Sequence, residues 1–371
     1  MLKKTIRRLG ALAMVLAMAV SVFAVNASAA TGVIGGTGTE LTEITLTKKL
    51  TIKEDEALAP NATATFEVTL PTEDTTKTVT ESGVQKTYKV NKGIAGGLLF
   101  DATHSNTITF TQASTRVTGQ KYAQDTTKLK VDASVFTAPG IYRYIVKESN
   151  VTGDGVTKDG TVYYVDLYVE NGDVVNGKQT YKVTAAEVLN STNNNAKSDL
   201  VFDNEYDTGA LTVEKKVEGT LGDKTHAWAI EVTITSSGDT TETYVAKLSD
   251  GNEVILTSGQ KRTFNLADGK SVTIYGLSAN DTYTVKENDD KVTTDHYTVS
   301  YDVNDTAAEK VENTKLTTNG GALVDAHVTV KNTLNAATPG GVIMTIAPYA
   351  LMLVVAGAFA VVFLSRRNRA E

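Results

Sequence analysis

Apolar and polar residues alternate along much of the chain, and one stretch has the clearest pattern. Between Thr161 and Glu170, the residues at 163, 165, 167 and 169 are apolar or aromatic and share one face. A period of two predicts a β-strand. Asn171-Gly172 and Asn176-Gly177 are turn signals, and residues 181–188 are then the predicted hairpin partner.

Similar alternation recurs through the body of the chain, and no amphipathic helix of comparable length competes with it. Many short segments rich in Thr, Val and Tyr, separated by turn residues, predict an all-β protein made of antiparallel β-sandwiches. About 300 residues lie between the two ends of the chain, which is enough for two such domains. The boundary fits best near residues 207–210. The further predicted strands are residues 44–52, 63–70, 139–148, 200–206, 211–217, 228–235, 272–276, 282–287, 297–303 and 326–332.

The N-terminal residues 1–29 have the three parts of an export signal. These are a basic start, an apolar run from Leu9 to Val25, and the small residues Ala27-Ser28-Ala29. The mature chain is expected to begin near Ala30, with a glycine-rich flexible leader over residues 30–40. An uncleaved membrane anchor is the alternative, but the apolar run is short for a bilayer.

The C-terminal end has three parts: a short proline- and glycine-containing break after the hydrophilic body, an apolar span and a basic tail. Residues 342–364 are long enough to cross a bilayer, and the tail 365–371 carries three arginines, which favour the cytoplasmic side. The break, residues 336–341, contains Thr338-Pro339-Gly340-Gly341. This order resembles the signals cut by sortases, transpeptidases that join a carboxyl end to an amine. A plain single-pass anchor is the alternative, because the break is not a standard Leu-Pro-x-Thr-Gly. The two ends together predict display outside a Gram-positive-type cell.

Composition narrows the function classes. The net charge of -7 argues against a nucleic-acid partner, because phosphate binding needs concentrated basic charge. The chain has 0 Cys, so an extracellular body must be stabilised by something other than disulfides. No nucleotide-binding glycine loop or metal-ligand spacing is present, and no cofactor or metal is expected. The four histidines, at 104, 226, 296 and 327, are far apart and are expected to be surface or structural residues.

The body contains an internal repeat of three short segments in the same order. Alternate residues of a strand share a face, so strand phase predicts which side chains point inward. Lys48 is in phase with Leu46 and Leu50, whereas its neighbour Lys49 falls on the polar side. The same phase argument holds for each repeated segment, and each copy therefore directs one Lys, one Glu and one Asn into its core. The residues are Lys48, Glu148 and Asn204 in the first copy, and Lys215, Glu287 and Asn332 in the second.

These three residue types suggest a covalent reaction inside the chain. Burial lowers the pKa of an amine and raises that of a carboxyl group, which favours a nucleophilic amine beside a proton donor. The hypothesis is that the Lys amine attacks the Asn carboxamide, the Glu polarises the carbonyl group and shuttles protons, and ammonia leaves. An isopeptide crosslink then remains. Inward-facing edge charges, or a buried ion pair with a hydrogen-bonded Asn, are the alternative.

The repeated motifs resemble those of the Gram-positive shaft pilins with self-forming isopeptide bonds, especially the streptococcal T-antigen pilin type. The resemblance implies tandem immunoglobulin-like sandwiches at residues 41–207 and 208–335, the second similar to a collagen-adhesin B-type domain. It also implies crosslinks from Lys48 to Asn204 and from Lys215 to Asn332, with Glu148 and Glu287 as the catalytic residues of a single turnover. Such a chain is a structural protein and not an enzyme.

In that family a sortase joins the carboxyl end of one subunit to a lysine on the next. Lys197 is the similar position here, in a polar loop seven residues before Asn204. Cleavage after Gly340 is the aligned expectation, although Thr338 to Gly341 departs from the Val-Pro-Thr-Gly type. The implied partners are identical pilin subunits, a pilin-type sortase, minor pilins and peptidoglycan. The alternative function is a wall-anchored monomeric adhesin, or a minor pilin of the tip or base, that uses the same domains as a stalk.

Overall fold

The computed structural model describes residues 32–36, 39–81, 83–193 and 195–336. These residues form β-sandwiches around two main hydrophobic cores, one between Ile44 and Tyr206 and the other between Leu211 and Val330. The all-β prediction is confirmed, since helical structure in the described ranges is limited to a 3₁₀ turn, Ala133–Val135, and helix α1, Asp290–Thr294. The predicted export signal and the predicted apolar span lie outside the described residues. Within the described ranges, no helix has the length and apolar character needed to cross a membrane.

Two sheets face each other in the first sandwich. One has the strand order β1-β12-β11-β9-β3-β7, with the hairpin β4–β5 joined to β9, and the other has the order β10-β14-β2-β8-β6. The sequence pattern did not predict strands β4, β5 and β8, because their many Lys and Thr residues obscure the alternation of apolar and polar residues. The strands are β1 (Val33–Gly35), β2 (Glu43–Ile52), β3 (Ala62–Thr69), β4 (Thr75–Glu81), β5 (Val84–Lys92), β6 (Leu98–Leu99), β7 (Thr107–Phe110), β8 (Tyr122–Val131), β9 (Gly140–Thr152), β10 (Val156–Thr157), β11 (Val162–Val175), β12 (Lys178–Asn190), β13 (Ala196–Lys197) and β14 (Val201–Tyr206).

The predicted hairpin at its centre is present, and it is longer than the sequence pattern indicates. Its turn lies at Asn176-Gly177, where both residues adopt positive φ angles of 51° and 74°. Asn171-Gly172, the other predicted turn signal, lies inside β11, where the pairing with β12 shifts register between Asn171 and Val174. A glycine inside a strand often marks such an irregularity rather than the end of the strand.

The second sandwich repeats the arrangement with a different strand count. One sheet has the order β18-β17-β20-β15-β27-β22-β23, the opposing sheet has the order β19-β16-β21-β24, and β25 and β26 form a separate hairpin. The strands are β15 (Gly209–Glu218), β16 (Trp228–Thr235), β17 (Thr243–Leu248), β18 (Glu253–Thr257), β19 (Lys261–Leu266), β20 (Ser271–Leu277), β21 (Thr282–Glu287), β22 (Thr298–Val303), β23 (Thr306–Ala308), β24 (Val311–Thr314), β25 (Thr317–Asn319), β26 (Ala322–Val324) and β27 (Ala326–Thr333).

Both sandwiches place a strand near their start beside their last strand, and in both the two strands are parallel. Strand β2 pairs with β14 so that Lys48 lies opposite Phe202, and Leu50 lies opposite Asn204. Strand β15 pairs with β27 so that Lys215 lies opposite Val330, and Val217 lies opposite Asn332. The register is therefore the same in the two units, and each Lys lies on the strand next to its Asn.

The outer face of the first sandwich carries a further layer. The hairpin β4–β5 packs against it, with Val90 and the half-buried Tyr88 touching a cluster that contains Ile141, Tyr168 and Ala185. The leader segment, expected to be flexible over residues 30–40, includes strand β1, which pairs antiparallel with β12 along residues 185–187. The glycine-rich sequence hides this strand because its pairing is made by backbone groups and not by side chains.

Candidate functional site

The first predicted triad meets in the core of the first sandwich, between its two sheets. The Lys48 Nζ donates to Glu148 Oε2 at 2.9 Å, and the Asn204 Nδ2 donates to Glu148 Oε1 at 2.8 Å. All three residues are buried, with at most 2 % of any of them exposed. Lys48 and Asn204 come from adjacent strands of one sheet, and Glu148 comes from β9 in the other. The single carboxyl group therefore contacts both the amine and the amide.

Aromatic rings and a loop enclose this site. The Phe202 ring lies 5.2 Å from the Phe66 ring and 5.0 Å from the Tyr163 ring, centroid to centroid. The Asn204 Oδ1 accepts a hydrogen bond from the backbone N–H of Asp159 at 2.6 Å. The Asp159 carboxylate in turn accepts from the N–H groups of Thr161 and Asp203, at 2.8 and 2.7 Å, and so fixes the loop. The carbonyl oxygen of Asn204 thus faces a positioned donor.

Burial lowers the pKa of Lys48 below its usual value, although the nearby Glu148 carboxylate acts in the opposite direction. Desolvation penalises the ammonium form, whereas the ion pair favours it. Desolvation is the larger effect here, so the neutral, nucleophilic form of this amine is easier to reach than in water.

The second triad has the same geometry in the other core. The Lys215 Nζ donates to Glu287 Oε2 at 2.6 Å, and the Asn332 Nδ2 donates to Glu287 Oε1 at 2.7 Å. Lys215 and Asn332 have no exposed surface, and the Glu287 side chain is 1 % exposed. Burial lowers the pKa of Lys215 to about 8. Two sites from separate segments of the chain therefore hold the same three groups in the same contacts.

The surroundings of the second site differ from those of the first. The Lys215 Nζ lies 5.0 Å from the centroid of the Trp228 ring, a cation–π distance, and Trp228 is itself buried against Tyr297. The Asn332 Oδ1 is buried and accepts no hydrogen bond from the described part of the chain. The loop donor that faces Asn204 thus has no counterpart at Asn332 in the described ranges.

One detail differs from the sequence-based hypothesis. In that hypothesis the Glu carboxyl group contacts the carbonyl oxygen of the Asn. In both sites the carboxyl group instead contacts the amide nitrogen. The two Glu oxygens accept from the donors Nζ and Nδ2, whereas Oδ1 is itself an acceptor. In the first site the N–H of Asp159 contacts the carbonyl oxygen instead.

The arrangement suits proton transfer between two nitrogens. A carboxyl group that touches both Nζ and Nδ2 can accept a proton from the amine and deliver it to the departing amide nitrogen. Asp159 and Trp228 were not identified from the sequence. The Asp159-Gly160 turn signal marks a loop, but nothing in the alternation of apolar and polar residues indicates which strand end that loop covers.

Lys197 lies away from both triads. It is on the short strand β13, opposite Leu189 of β12, and its side chain is 37 % exposed. Its Nζ is 3.1 Å from Oε1 of the buried Glu187, and burial lowers the pKa of the amine. The other half of the predicted intersubunit bond, Thr338 to Gly341, lies outside the described residues.

Comparisons with known proteins agree with this architecture. Residues 44–207 match a family described as Spy0128-like isopeptide containing domain, and residues 209–333 match a domain of unknown function, DUF7601. A protein named pilin from Streptococcus pyogenes serotype M1 is 28% identical over 358 residues, which cover 93% of this chain and 96% of the relative.

Two solved structures share the fold. The major pilin of Streptococcus pyogenes aligns with a TM-score of 0.58 at 23% identity, over 80% of this chain and 100% of that chain. The major pilin T3.2 of Streptococcus pyogenes serotype GAS13637 aligns with a TM-score of 0.58 at 21% identity, over 82% of this chain and 99% of that chain. The chain therefore resembles the pilin of Streptococcus pyogenes along nearly its whole length and shares the fold of the major pilins, and its first sandwich matches the Spy0128-like isopeptide containing domain.

Proposed function

We propose that this chain is a pilin that forms the shaft of a sortase-assembled pilus, and that each sandwich closes one intramolecular isopeptide crosslink. The crosslinks join Lys48 to Asn204 and Lys215 to Asn332. One observation carries the proposal: in both cores a single Glu carboxyl group contacts the Lys amine and the Asn amide nitrogen together. Residues 41–207 and 208–335 are the two domains of the shaft subunit.

Each crosslink forms in one turnover. The neutral Lys amine attacks the Asn carboxamide carbon, and a C–N bond forms while negative charge builds on Oδ1. Glu148 or Glu287 accepts the proton that the amine loses and passes it to Nδ2. The bond from the carboxamide carbon to Nδ2 then breaks, and that nitrogen leaves as ammonia. The lowered pKa of Lys48 and of Lys215 supports the first step.

The position of the crosslinks suits a fibre under tension. Each would join a strand near the start of a sandwich to the last strand, and these strands are parallel neighbours. Pulling on the chain ends would otherwise shear that pair apart. If the chain-entropy account of disulfides applies, closing these long loops contributes on the order of 5 kcal/mol each. This is a source of strength that needs no cysteine.

Assembly uses the two ends of the precursor. The signal at residues 1–29 exports the chain, and residues 342–364 with the basic tail hold it in the membrane for processing. A sortase cuts within Thr338 to Gly341, after Gly340, and joins that carboxyl group to Lys197 of the next subunit. The exposure of Lys197 supports its use as the acceptor. The completed fibre is attached to peptidoglycan, with minor pilins at its tip or base.

Wall extracts from cells that express the pilin and its sortase test this function. We expect a ladder of high-mass polymers on immunoblots, lost when Lys197 is replaced by Arg. Replacing Lys147, another partly exposed lysine of the same sandwich, with Arg serves as the matched control and is expected to leave the ladder intact. A single band from the wild-type chain would instead indicate the anchored monomeric adhesin. A ladder that persists in Lys197→Arg would show that another lysine is the acceptor.

A further inference from the structure

The outer face of the first sandwich holds a buried cluster of charges that neither crosslink uses. At its centre is Glu187 of β12, whose side chain is 1 % exposed. Its Oε1 lies at an ion-pair distance of 3.1 Å from the Nζ of Lys197, without the geometry of a hydrogen bond. Its Oε2 contacts the Nζ of Lys77 and accepts a hydrogen bond from the hydroxyl of Tyr168 at 3.2 Å. One carboxylate thus holds two lysines.

The hairpin β4–β5 buries this cluster. It brings Lys77 across the sheet, and packing by Val90 and Tyr88 beside Tyr168 covers the face from which Glu187 projects. Burial lowers the pKa of Lys77 to about 8. The Lys77 side chain is 16 % exposed, against 37 % for Lys197, so Lys197 is the more accessible of the two amines.

Backbone strands fix the edge on which Lys197 lies. Strands β1 and β13 both pair with β12, β1 along residues 185–187 and β13 along residues 189–190. The N–H of Ser198 donates to the carbonyl oxygen of Val188 at 3.1 Å, and the N–H of Val188 donates to that of Gly32 at 2.8 Å. Lys197 is therefore held by its backbone on an ordered edge and by its side chain through Glu187.

A buried carboxylate is costly unless it is paired, and a long, partly exposed lysine side chain normally samples many rotamers. We propose that Glu187 positions the Lys197 amine for the sortase, and that Lys77 is a second cation that shares the carboxylate. The Lys197 amine is then presented in one place at the surface. This inference rests on the proposed function, since it takes Lys197 to be the acceptor.

The transfer itself remains the sortase reaction. The Lys197 Nζ loses a proton and forms an amide bond to the Gly340 carbonyl carbon, while the acyl bond to the enzyme breaks and the departing group of the enzyme takes up a proton. Glu187 acts before this step. Burial lowers the pKa of Lys197, the charge of Glu187 opposes that shift, and the charge of Lys77 adds to it. The other charged groups beside Lys77, Arg143 and Asp166, form an ion pair with each other and add no net charge. The carboxylate therefore affects both where the amine lies and the pH at which it reacts.

The test measures the initial rate of polymer formation by full-length chains with their sortase, over a range of pH. Glu187→Ala is expected to slow assembly by roughly ten- to hundredfold, because a misplaced nucleophile loses orientation. Glu187→Gln keeps the size of the side chain and a polar oxygen near Nζ but removes the charge, so part of the rate should return. The pH dependence of its rate should also shift to lower pH, because the ammonium form of Lys197 is no longer stabilised by the negative charge of Glu187.

The control variant is Glu67→Gln. It alters an exposed pair, in which the Lys147 Nζ lies 2.8 Å from Glu67 Oε1 on the same sheet, and it should leave rate and profile unchanged. Intact mass of each variant, with both ammonia losses retained, verifies that the sandwiches have folded. Wild-type rates in Glu187→Ala, or an unshifted profile in Glu187→Gln, would overturn the inference. If assembly continues in Lys197→Arg, the acceptor assignment itself is wrong, which is a separate outcome.

Discussion

At the residue scale, the two triads differ in what faces the carbonyl oxygen of the Asn. The Asn204 Oδ1 accepts from the Asp159 N–H at 2.6 Å, whereas the Asn332 Oδ1 is buried without such a donor in the described residues. Negative charge develops on this oxygen when the amine attacks, and a positioned N–H stabilises it. We therefore expect the first crosslink to depend on its loop and the second to form without comparable help.

Asp159→Ala tests that difference. The variant loses the carboxylate that holds the N–H groups of Thr161 and Asp203, so the loop donor is no longer fixed against Asn204. We expect closure of the Lys48–Asn204 bond after refolding to slow about tenfold. This is less than the effect of deleting an oxyanion donor, because the N–H group itself remains in the variant. Peptide mapping by mass spectrometry follows both bonds over time. The Lys215–Asn332 bond in the same chain is the control, and equal effects on the two bonds would count against a local role for the loop.

At the element scale, strand period determined what the sequence could predict. A period of two is preserved through the repeated segments, so the sequence alone predicts that Lys48, Glu148 and Asn204 point inward. Contacts made by loops and by backbone edges carry no such period. The loop donor at Asp159, the charge cluster around Glu187 and the pairing of β1 were therefore missed.

Strand β1 gives a prediction of its own. Gly32 has a φ of +84°, and a Cβ there would lie 2.6 Å from the backbone nitrogen of Ser198. Gly32→Val should release β1 from β12 at a cost of about 1–3 kcal/mol, while both triads remain in place. Hydrogen exchange of the Val188 N–H, which donates to the Gly32 carbonyl, should accelerate. Gly83→Val, at a loop tip where a Cβ meets no neighbour within 4 Å, controls for the positive φ alone. Unchanged protection at Val188 would mean that β1 contributes little to this edge.

At the scale of the whole molecule, the sandwiches meet through buried polar groups. The Tyr206 hydroxyl donates to the Gly276 carbonyl oxygen at 3.2 Å, and the Gly276 N–H donates to Glu54 Oε2 at 3.1 Å. Glu242 lies beside Tyr206 and accepts from the hydroxyl of Ser236 at 2.5 Å. Burial raises the pKa of Glu242 to about 7, and it also raises the pKa of Asp281. Burial therefore favours the protonated form of these two carboxyl groups, whereas hydrogen bonds from Ser237 and Ser278 lower the pKa of Asp154 nearby.

This raised pKa makes stability depend on pH. Because the folded state holds the Glu242 proton more tightly than the unfolded state, the contribution is complete below the unfolded value near 4.5 and is lost as pH rises through about 7. Glu242→Gln stays neutral. From about pH 4 to about pH 8, the free energy of unfolding of the wild type should therefore fall relative to that of the variant by on the order of 3 kcal/mol. Denaturant titrations at both values measure it, and parallel pH profiles would contradict the assignment.

Closure of one Lys–Asn bond within each sandwich can be measured by the intact mass of residues 30–338 purified without sortase. We predict a mass below that of the sequence by two molecules of ammonia. Glu148→Ala and Glu287→Ala should each restore one of them, and the double variant should restore both. A wild-type chain with the full mass of its sequence would contradict this prediction, because the two triads would then be buried ion pairs with no covalent bond.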